Sequence, residues 1–258
     1  MTSITLLAKA YSNAQRKQVE KLLESKLEGL KAQIQVNGVI SRGWVQATIS
    51  GEDEKAALHY LASEVGLCPA SLEQVQKFSM LEGRVVDLDK SKDELCFDVG
   101  VFEPDVVDAV IPLSHLQAQL GDGRKVSVRK FVELFGFCEN LPLTVKVSSL
   151  GGNKSHIEAM LSEKQLDTYQ RWTDSLLDRL IVLGASQEEI RSVLERARCE
   201  RDVVDVEPLG LLEHAVVCKL GTDAAGLIPR IGWSLRSAVF SVFNPRRIRG
   251  FFEESAAS

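Results

Sequence analysis

The sequence predicts a mixed α+β protein built from several small domains. Near its start, strand-like and helix-like segments follow one another in a regular order, and further along a hairpin pattern is written twice. Between the two copies, large apolar side chains recur at helical spacing. With 258 residues the chain is longer than a typical single domain. We therefore expect a multi-domain protein with an N-terminal α/β sandwich, a central β-barrel, a helical hairpin and a C-terminal α+β unit.

The first segments are predicted as strand, helix, strand, strand and helix. Ser12 and Gln15 form a capping box that opens the first helix, and Asn37-Gly38 is a turn signal between the next two strands. A further strand near residues 72–78 would complete the order. This order is typical of the ferredoxin-like fold, which we expect over residues 1–78.

The first copy of the hairpin pattern leads from two strands into an Ile-Pro step. It begins at Val85 and reaches Ile111-Pro112, and a helical segment at 127–137 and a closing strand at 143–147 follow. Strands, a helix and a closing strand occur in this order in the OB fold. We therefore expect an OB-like domain over residues 79–148.

The second copy begins at Val203 and reaches its own Ile-Pro step at Ile228-Pro229. The spacing inside the two copies differs, as expected for duplicated strands joined by variable loops. We expect a helix from Trp233 to Phe243, ended by Asn244-Pro245. Because no clear closing strand follows, residues 201–252 are predicted as a C-terminal OB-like or α+β unit.

Between the two hairpin units, the sequence predicts a helical hairpin over residues 154–200. A linker at 148–153 precedes it, and apolar residues then keep helical spacing from Leu161 to Leu183. Ser186 and Glu189 form another capping box, which opens the second helix of this hairpin.

Composition indicates a cytoplasmic protein. No apolar run is long enough to span a membrane, and no basic segment precedes an apolar stretch at the start as a secretory signal requires. The five cysteines are scattered and include no Cys-x-x-Cys pair, so we expect reduced thiols.

Positive charge is concentrated toward the end of the chain. From Lys219 to Gly250 there are six basic residues and one acidic residue, Asp223, although the whole chain carries a net charge of −5. A local positive field on an acidic protein favours a specific anionic partner over indiscriminate coating of nucleic acid.

Two segments of this region are candidate phosphate contacts. Glycines at both ends of the 221–226 loop let the backbone approach a ligand, and Arg230 follows it; the alternative is a tight hairpin loop without a ligand. At 246–252 basic and aromatic residues interleave, which can hold phosphates and stack on bases. The alternative there is a solvated basic segment whose phenylalanines pack on the core.

A basic loop in the first hairpin unit adds to this predicted surface. The candidate nucleic-acid-binding residues are Gly123, Arg124, Lys125, Lys219, Gly221, Thr222, Gly226, Arg230, Arg236, Arg246, Arg247 and Arg249.

The sequence offers no arrangement for catalysis or metal binding. His214 and Cys218 are four positions apart, but two ligands do not make a zinc site. The acidic stretch at 87–93 has lysine where a calcium loop requires glycine, and Gly-x-Ser-x-Gly is absent. We therefore expect a non-enzymatic protein with no cofactor and no metal.

The middle region resembles the S-one type of RNA-binding OB domain. The resemblance rests on Gly83-Arg84-Val85-Val86, on Asp98-Val99-Gly100 and on the stretch from Ala109 to Leu116. They match that family's Gly-x-Val strand and its Gly-x-Ile-Pro-x-Ser-x-Leu step, with Ala109 in place of the first glycine of the step. The resemblance implies an OB barrel that binds RNA.

Over its whole length the chain is similar to an archaeal family catalogued as a domain of unknown function. The stretches from Pro112 to Leu120 and from Cys218 to Pro229 carry this likeness. It implies an archaeal cytoplasmic protein and no particular activity.

Our leading hypothesis is a non-enzymatic RNA-binding protein of archaeal information processing, in translation, RNA processing or transcription. The alternative is a protein-interaction adaptor that docks on the ribosome or RNA polymerase through its N-terminal domain and helical hairpin. Salt-dependent affinity for RNA would favour the first, and salt-insensitive binding to a protein would favour the second.

Overall fold

The structure, a computed structural model, describes residues 1–89, 93–151 and 156–254. It confirms the predicted mixed α+β class with several domains. Three sheets organise the described part of the chain: a three-stranded N-terminal sheet, a central six-stranded sheet that contains a barrel, and a four-stranded C-terminal sheet.

The N-terminal unit has the predicted order of strands and helices. Its strands form an antiparallel sheet in the order first, third, second, and both helices pack on one face around a shared apolar core. The elements are β1 (Thr2–Lys9), α1 (Asn13–Lys26), β2 (Ala32–Ile40), β3 (Trp44–Gly51) and α2 (Glu54–Glu64).

Two local details of this unit differ from the prediction. The turn between β2 and β3 lies at residues 41–43, and the Asn37-Gly38 pair sits at a register shift inside β2. The fourth-strand position beside β1 is held by a single bridge between Leu6 and Leu67, and residues 72–74 form a 3₁₀ turn. The short strand β4 (Ala70–Ser71) then joins the central sheet.

The central unit is a closed five-stranded barrel. Around the barrel the strands follow the order β5, β6, β7, β9, β8, and β8 returns to β5. The pairing of β7 with β9 is parallel and the other pairings are antiparallel, which is consistent with an OB-like domain. The elements are β5 (Met80–Val86), β6 (Glu94–Glu103), β7 (Val107–Pro112), α3 (Leu113–Leu120), α4 (Val128–Phe135), β8 (Pro142–Leu150) and β9 (Ile157–Leu161).

The barrel closes later in the chain than the sequence suggested. Strand β8 extends through the first half of the predicted linker, to Leu150, and β9 supplies the closing strand beyond it. Gly152 and Asn153, which completed that predicted linker, lie outside the described residues. The Ser/Gly-rich composition of this stretch is typical of a linker. It does not reveal that the stretch pairs with β9, which begins seven residues after the end of β8.

The predicted helical hairpin is wrong, because a strand lies between its helices. Helix α5 (Glu163–Ser175) ends at Leu176, which adopts a left-handed backbone with φ +57°, and β10 (Arg179–Leu183) follows. The leucines of β10 satisfy a helical spacing, but the strand is buried along its whole length between two neighbours. A short, fully buried strand has no alternating pattern that would distinguish it from a helix.

The C-terminal unit is an open α+β sheet in the described residues and not a second barrel. Its strand order is β11, β12, β10, β13, all antiparallel, which is the βαββαβ arrangement of a ferredoxin-like fold. The elements after β10 are α6 (Gln187–Arg196), β11 (Val203–Pro208), β12 (Glu213–Cys218), α7 (Ile228–Ile231), β13 (Val239–Phe243) and α8 (Pro245–Glu254).

The duplicated hairpin is therefore two similar hairpins in different folds. In the first copy Ile111-Pro112 ends strand β7, whereas in the second copy Ile228-Pro229 begins helix α7. The helix predicted from Trp233 to Phe243 is also wrong, since β13 occupies its second half. Proline suits both the end of a strand and the first turn of a helix, so the step alone does not fix the element.

Aromatic side chains join the barrel to the C-terminal unit. Tyr169 and Trp172 from α5, Phe135 from α4 and Phe243 from β13 form one buried cluster, with ring centroids 5.3 Å apart for Phe135 and Tyr169 and 5.1 Å apart for Trp172 and Phe243. The C-terminal sheet is thus covered by its own helices on one face and by the barrel on the other.

Buried charges join the N-terminal unit to the barrel. Lys9 Nζ lies 2.6 Å from Asp98 Oδ2, and the two side chains are 1% and 2% exposed. The Asp98 carboxylate also accepts a hydrogen bond from Trp44 Nε1 at 3.0 Å. Beside this pair, the fully buried Arg84 donates to Glu82 at 2.8 Å and to the Leu7 carbonyl at 2.7 Å.

Candidate nucleic-acid interface

Helix α8 presents the basic part of the C-terminal segment. Asn244 Oδ1 accepts a hydrogen bond from the Arg247 backbone N–H at 3.0 Å, and Pro245 occupies the first helical position. The pair that was predicted to end a helix therefore begins one, since an Asn cap followed by proline is also a strong start signal. Ile248 turns inward and is buried, whereas Arg246 and Arg247 are exposed.

The aromatic residues of α8 are half-buried and pack on the protein core. Phe251 and Phe252 pack against the core that the barrel shares with the C-terminal unit. Each also lies beneath a cation from the barrel, Lys130 over Phe251 at 5.3 Å and Arg124 over Phe252 at 5.3 Å. The segment therefore fits the alternative in which its phenylalanines pack on the core. Arg246 and Arg247 are its exposed cations.

The loop between α3 and α4 lies against the end of α8. Arg124 Nη1 donates to the Phe252 carbonyl at 2.6 Å, which satisfies an acceptor in the last turn of the helix. Gly123, with φ +75° and open space where a Cβ would be, and Lys125 are both exposed. The α3–α4 loop therefore contacts the C-terminal end of the helix that carries Arg246 and Arg247 near its start.

The 221–226 loop follows β12 and lies beside α8. Thr222 and Gly221 line a cavity of about 180 Å³ together with Arg246, Asn244 and Asp178. Burial raises the pKa of the Asp178 carboxyl, while the positive charges of Arg246 and Arg247 oppose that rise. Two candidate segments, separated in sequence by a helix and a strand, are therefore adjacent in space.

Four of the six backbone N–H groups in the 221–226 loop already have partners. Thr222 N–H donates to the Lys219 carbonyl at 2.9 Å, Ala225 N–H to Asp223 Oδ1 at 3.0 Å and Gly226 N–H to the Asp223 carbonyl at 3.1 Å. A phosphate held here would therefore depend on side chains, in particular Arg246 and Thr222.

Several predicted arginines make contacts within the chain. Arg230 pairs with Asp202 at 2.9 Å and also donates to two carbonyls at the end of α6. Arg249 pairs with Asp174 at 3.2 Å, and Arg236 Nε donates to the Trp233 carbonyl at 3.3 Å. Among the side chains that the structure describes, no carboxylate lies within 4.0 Å of the charged groups of Lys125, Lys219, Arg236, Arg246 and Arg247.

One exposed cation near this surface, Arg129 in the first turn of α4, is not among the residues predicted from the sequence. Ser127 caps that helix through the Lys130 N–H at 3.3 Å. The Ser127 cap is the signal that could have found it, because a cap at that position places Arg129 in the first turn of a helix that follows Lys125 closely in sequence.

The described residues contain no group of three or more His, Cys, Asp or Glu side chains placed to hold a metal ion. No helix among them has both the length and the apolar character needed to cross a bilayer. All five cysteines are free thiols.

Solved structures resemble the chain weakly. The intact alpha subunit of aIF2 from Pyrococcus abyssi has a TM-score of 0.25 and 10% sequence identity, over 66% of this chain and 96% of that chain. A chain of the a/eIF2alpha–aDim2p–rRNA complex from Pyrococcus horikoshii OT3 has a TM-score of 0.24 and 11% identity, over 50% of this chain and 70% of that chain. Scores this low do not establish a common fold.

No curated protein matches the chain. Family models match it in three consecutive parts: the DUF2110 N-terminal domain over residues 3–71, the central domain over 75–173 and the C-terminal domain over 177–243. These ranges cover most of the 258 residues and agree with the family resemblance expected from the sequence. The chain belongs to the DUF2110 family.

Proposed function

We propose that this protein is a non-enzymatic RNA-binding protein of translation, RNA processing or transcription, and that it holds RNA phosphates on the surface formed by α8 and the α3–α4 loop. The observation that carries the proposal is the contact between two basic segments that are distant in sequence, since Arg124 in the α3–α4 loop donates to the Phe252 carbonyl of α8. Lys125 and Arg129 come from the barrel, and Arg246 and Arg247 come from α8. We call these four residues the basic surface.

Charge distribution supports a localised contact. The chain is acidic overall, with a net charge of −5, so general attraction to nucleic acid is weak. On the basic surface, in contrast, four cations are exposed. Arg246 and Arg247 are adjacent on a helix that Asn244 caps and Ile248 anchors, so both are held in place for a phosphate backbone.

The geometry favours recognition of shape over recognition of base sequence. Phe251 and Phe252 are half-buried against the core, which leaves phosphate contacts as the main source of affinity. Proteins that bind mainly through phosphates distinguish RNAs by helix geometry and the spacing of backbone charges. The five free thiols suit the reducing cytoplasm, where such RNAs are found.

The test is fluorescence anisotropy with labelled structured RNA, single-stranded RNA and duplex DNA, each at low and at physiological salt. We expect the double variant Arg246→Gln/Arg247→Gln to weaken RNA binding by about tenfold or more and to reduce the salt slope by about 2, one for each lost phosphate contact. A charge-matched control, Lys17→Gln/Lys21→Gln, removes two exposed lysines from α1. It should bind RNA as the unmodified protein does.

Equal losses in the two double variants would show that net charge, and not this surface, governs binding. Absence of RNA binding at low salt would reject the proposal.

An exposed tryptophan favours a second candidate, a protein-interaction adaptor that docks on the ribosome or RNA polymerase. Trp233 is 78% exposed and Leu220 is 66% exposed, and tryptophan is enriched in the centres of protein interfaces. If the adaptor function holds, Trp233→Ala should abolish a salt-insensitive interaction with a protein and leave RNA affinity unchanged.

A further inference from the structure

A cleft separates helix α5 from the C-terminal sheet, on a different face of α5 from the one that packs against α8. Its volume is about 350 Å³, within the lower range of small-molecule sites. Its walls come from α5, β8, β10 and the end of β11. The cleft therefore lies between the barrel and the C-terminal unit.

Arg179 is the buried cation of this cleft. Its side chain is 5% exposed and its guanidinium lies 4.8 Å from the Trp172 ring centroid. Nη1 donates to the Leu177 carbonyl at 3.0 Å and to Ser175 Oγ at 3.1 Å. These contacts hold the guanidinium rigidly at the end of α5.

The Nε–H of Arg179 has no hydrogen-bond partner in the described structure, although it is buried. The nearest carboxylate, on Glu207, lies 3.6 Å from Nε, which is beyond hydrogen-bond length. A buried donor without an acceptor carries a free-energy cost. An anion that enters the cleft would remove that cost.

The cleft also carries more positive than negative charge. Lys164 and Arg171, both exposed on α5, line it together with Arg179. Of the two carboxylates in the lining, Glu82 is already paired with the buried Arg84 at 2.8 Å, which leaves Glu207 against three cations. Thr168 and Gln165 add polar groups at the same wall.

We propose that this cleft binds a phosphate group, with Arg179 Nε–H, Lys164 and Arg171 as its donors. Glu207, which is partly exposed, turns away from Arg179 when the phosphate enters. Arginine and lysine together suit phosphate, whose oxygens accept several charge-assisted hydrogen bonds. The phosphate belongs either to an RNA backbone or to a free phosphorylated molecule. The site is independent of the basic surface, so it stands whether or not that surface binds RNA.

The test is isothermal titration calorimetry of the full chain with inorganic phosphate at low ionic strength. We expect Lys164→Gln/Arg171→Gln to weaken phosphate binding by about tenfold, the effect of losing roughly 1.4 kcal/mol of charge-assisted contacts. Both residues are exposed, so the variant should fold. The control Lys17→Gln/Lys21→Gln carries the same change of charge and should bind phosphate normally.

A second variant tests Arg179 through its neighbour. Glu207→Gln removes the carboxylate that competes for Nε–H and should tighten phosphate binding several-fold. The proposal is overturned if phosphate does not bind, if the α1 control loses as much affinity as the α5 variant, or if Glu207→Gln leaves the affinity unchanged.

Competition then identifies the source of the phosphate. Displacement by a single-stranded oligonucleotide, with RNA affinity reduced in Lys164→Gln/Arg171→Gln, would assign the cleft to an RNA backbone. Displacement by adenosine monophosphate, with unchanged RNA affinity in that variant, would assign it to a free phosphorylated molecule. The Arg246→Gln/Arg247→Gln variant should bind phosphate in the cleft normally in either case.

Discussion

At the scale of single residues, the sequence identified the cations but not their neighbours. Arg230 and Arg249 were grouped with Arg246 because all lie in one basic stretch, yet the structure pairs the first two with Asp202 and Asp174. Those acids come from other parts of the chain, so composition could not reveal the pairing. Arg179 is likewise not recognisable as a candidate from the sequence. Its role depends on its burial and on the missing acceptor for its Nε–H.

His214 should make stability depend on pH. Burial lowers the pKa of its imidazole from the ordinary 6.5 to about 4, and Nδ1 has no hydrogen-bond partner in the described structure. As the pH falls below 6.5, the unfolded chain takes up this proton before the folded one does. The contribution of His214 to the free energy of unfolding is therefore complete above pH 6.5 and is lost progressively down to about pH 4. Its steepest slope is about 1.4 kcal/mol per pH unit.

Urea unfolding between these pH values measures the effect. His214→Gln should flatten the slope, and replacement of the exposed His59 by glutamine should not. An unchanged slope in His214→Gln would assign the acid sensitivity to other groups.

At the scale of elements, capping signals were predicted well and buried strands were not. Ser12 and Ser186 each cap the helix that the sequence placed after them. Strand β10 was predicted as helix, because a strand buried on both faces lacks alternation. Asn244-Pro245 was predicted to end a helix, but it begins one, α8. Proline disfavours helical backbone in the residue before it and suits the first position of a helix, so it is compatible with either boundary.

Removal of the α8 cap should weaken both the helix and the basic surface. Asn244→Ala deletes the acceptor for the Arg247 N–H and the 3.1 Å hydrogen bond from Nδ2 to Asp178. We expect a loss of about 1 kcal/mol in unfolding free energy, typical of an N-cap, with weaker RNA binding as the arginines lose their fixed positions. Asn244→Ser keeps a cap acceptor without placing a second carboxylate beside Asp178, and it should preserve more of the helix than alanine does.

Hydrogen exchange of the α8 amides measures this prediction. Equal protection in Asn244→Ala and the unmodified protein would show that packing of Ile248 and the two phenylalanines suffices to hold α8.

At the scale of the whole molecule, the true structural similarity lies between the two ends of the chain. Both flanking units use ferredoxin-like strand order, whereas the hairpin repeat predicted a likeness between the C-terminal unit and the barrel. Hairpins read alike in sequence because they share alternation and turn residues. The strands that join the β11–β12 hairpin, β10 and β13, are placed by contacts between residues distant in sequence, and no local pattern contains these contacts.

The Lys9–Asp98 pair should hold the N-terminal unit to the barrel. Lys9→Met leaves Asp98 as a buried charge without its partner, and we expect a loss of about 3–5 kcal/mol. Burial lowers the pKa of Lys9, and the Asp98 carboxylate opposes that effect because it stabilises the ammonium charge. The double variant Lys9→Met/Asp98→Asn should recover much of the stability, because it removes both charges.

Chemical unfolding of the three proteins tests this coupling. Additive losses in the double variant would show that the two charges act independently.

The parallel pairing of β7 with β9 bears on how the chain folds. Two helices and β8 separate these partners along the sequence, so the pairing costs more loop-closure entropy than any hairpin in the barrel. Non-local contacts of this kind are formed late and set the folding rate. During synthesis the barrel cannot close until Leu161 has left the ribosome, and until then the edges of β7 and β8 that await β9 remain open to pairing with another chain.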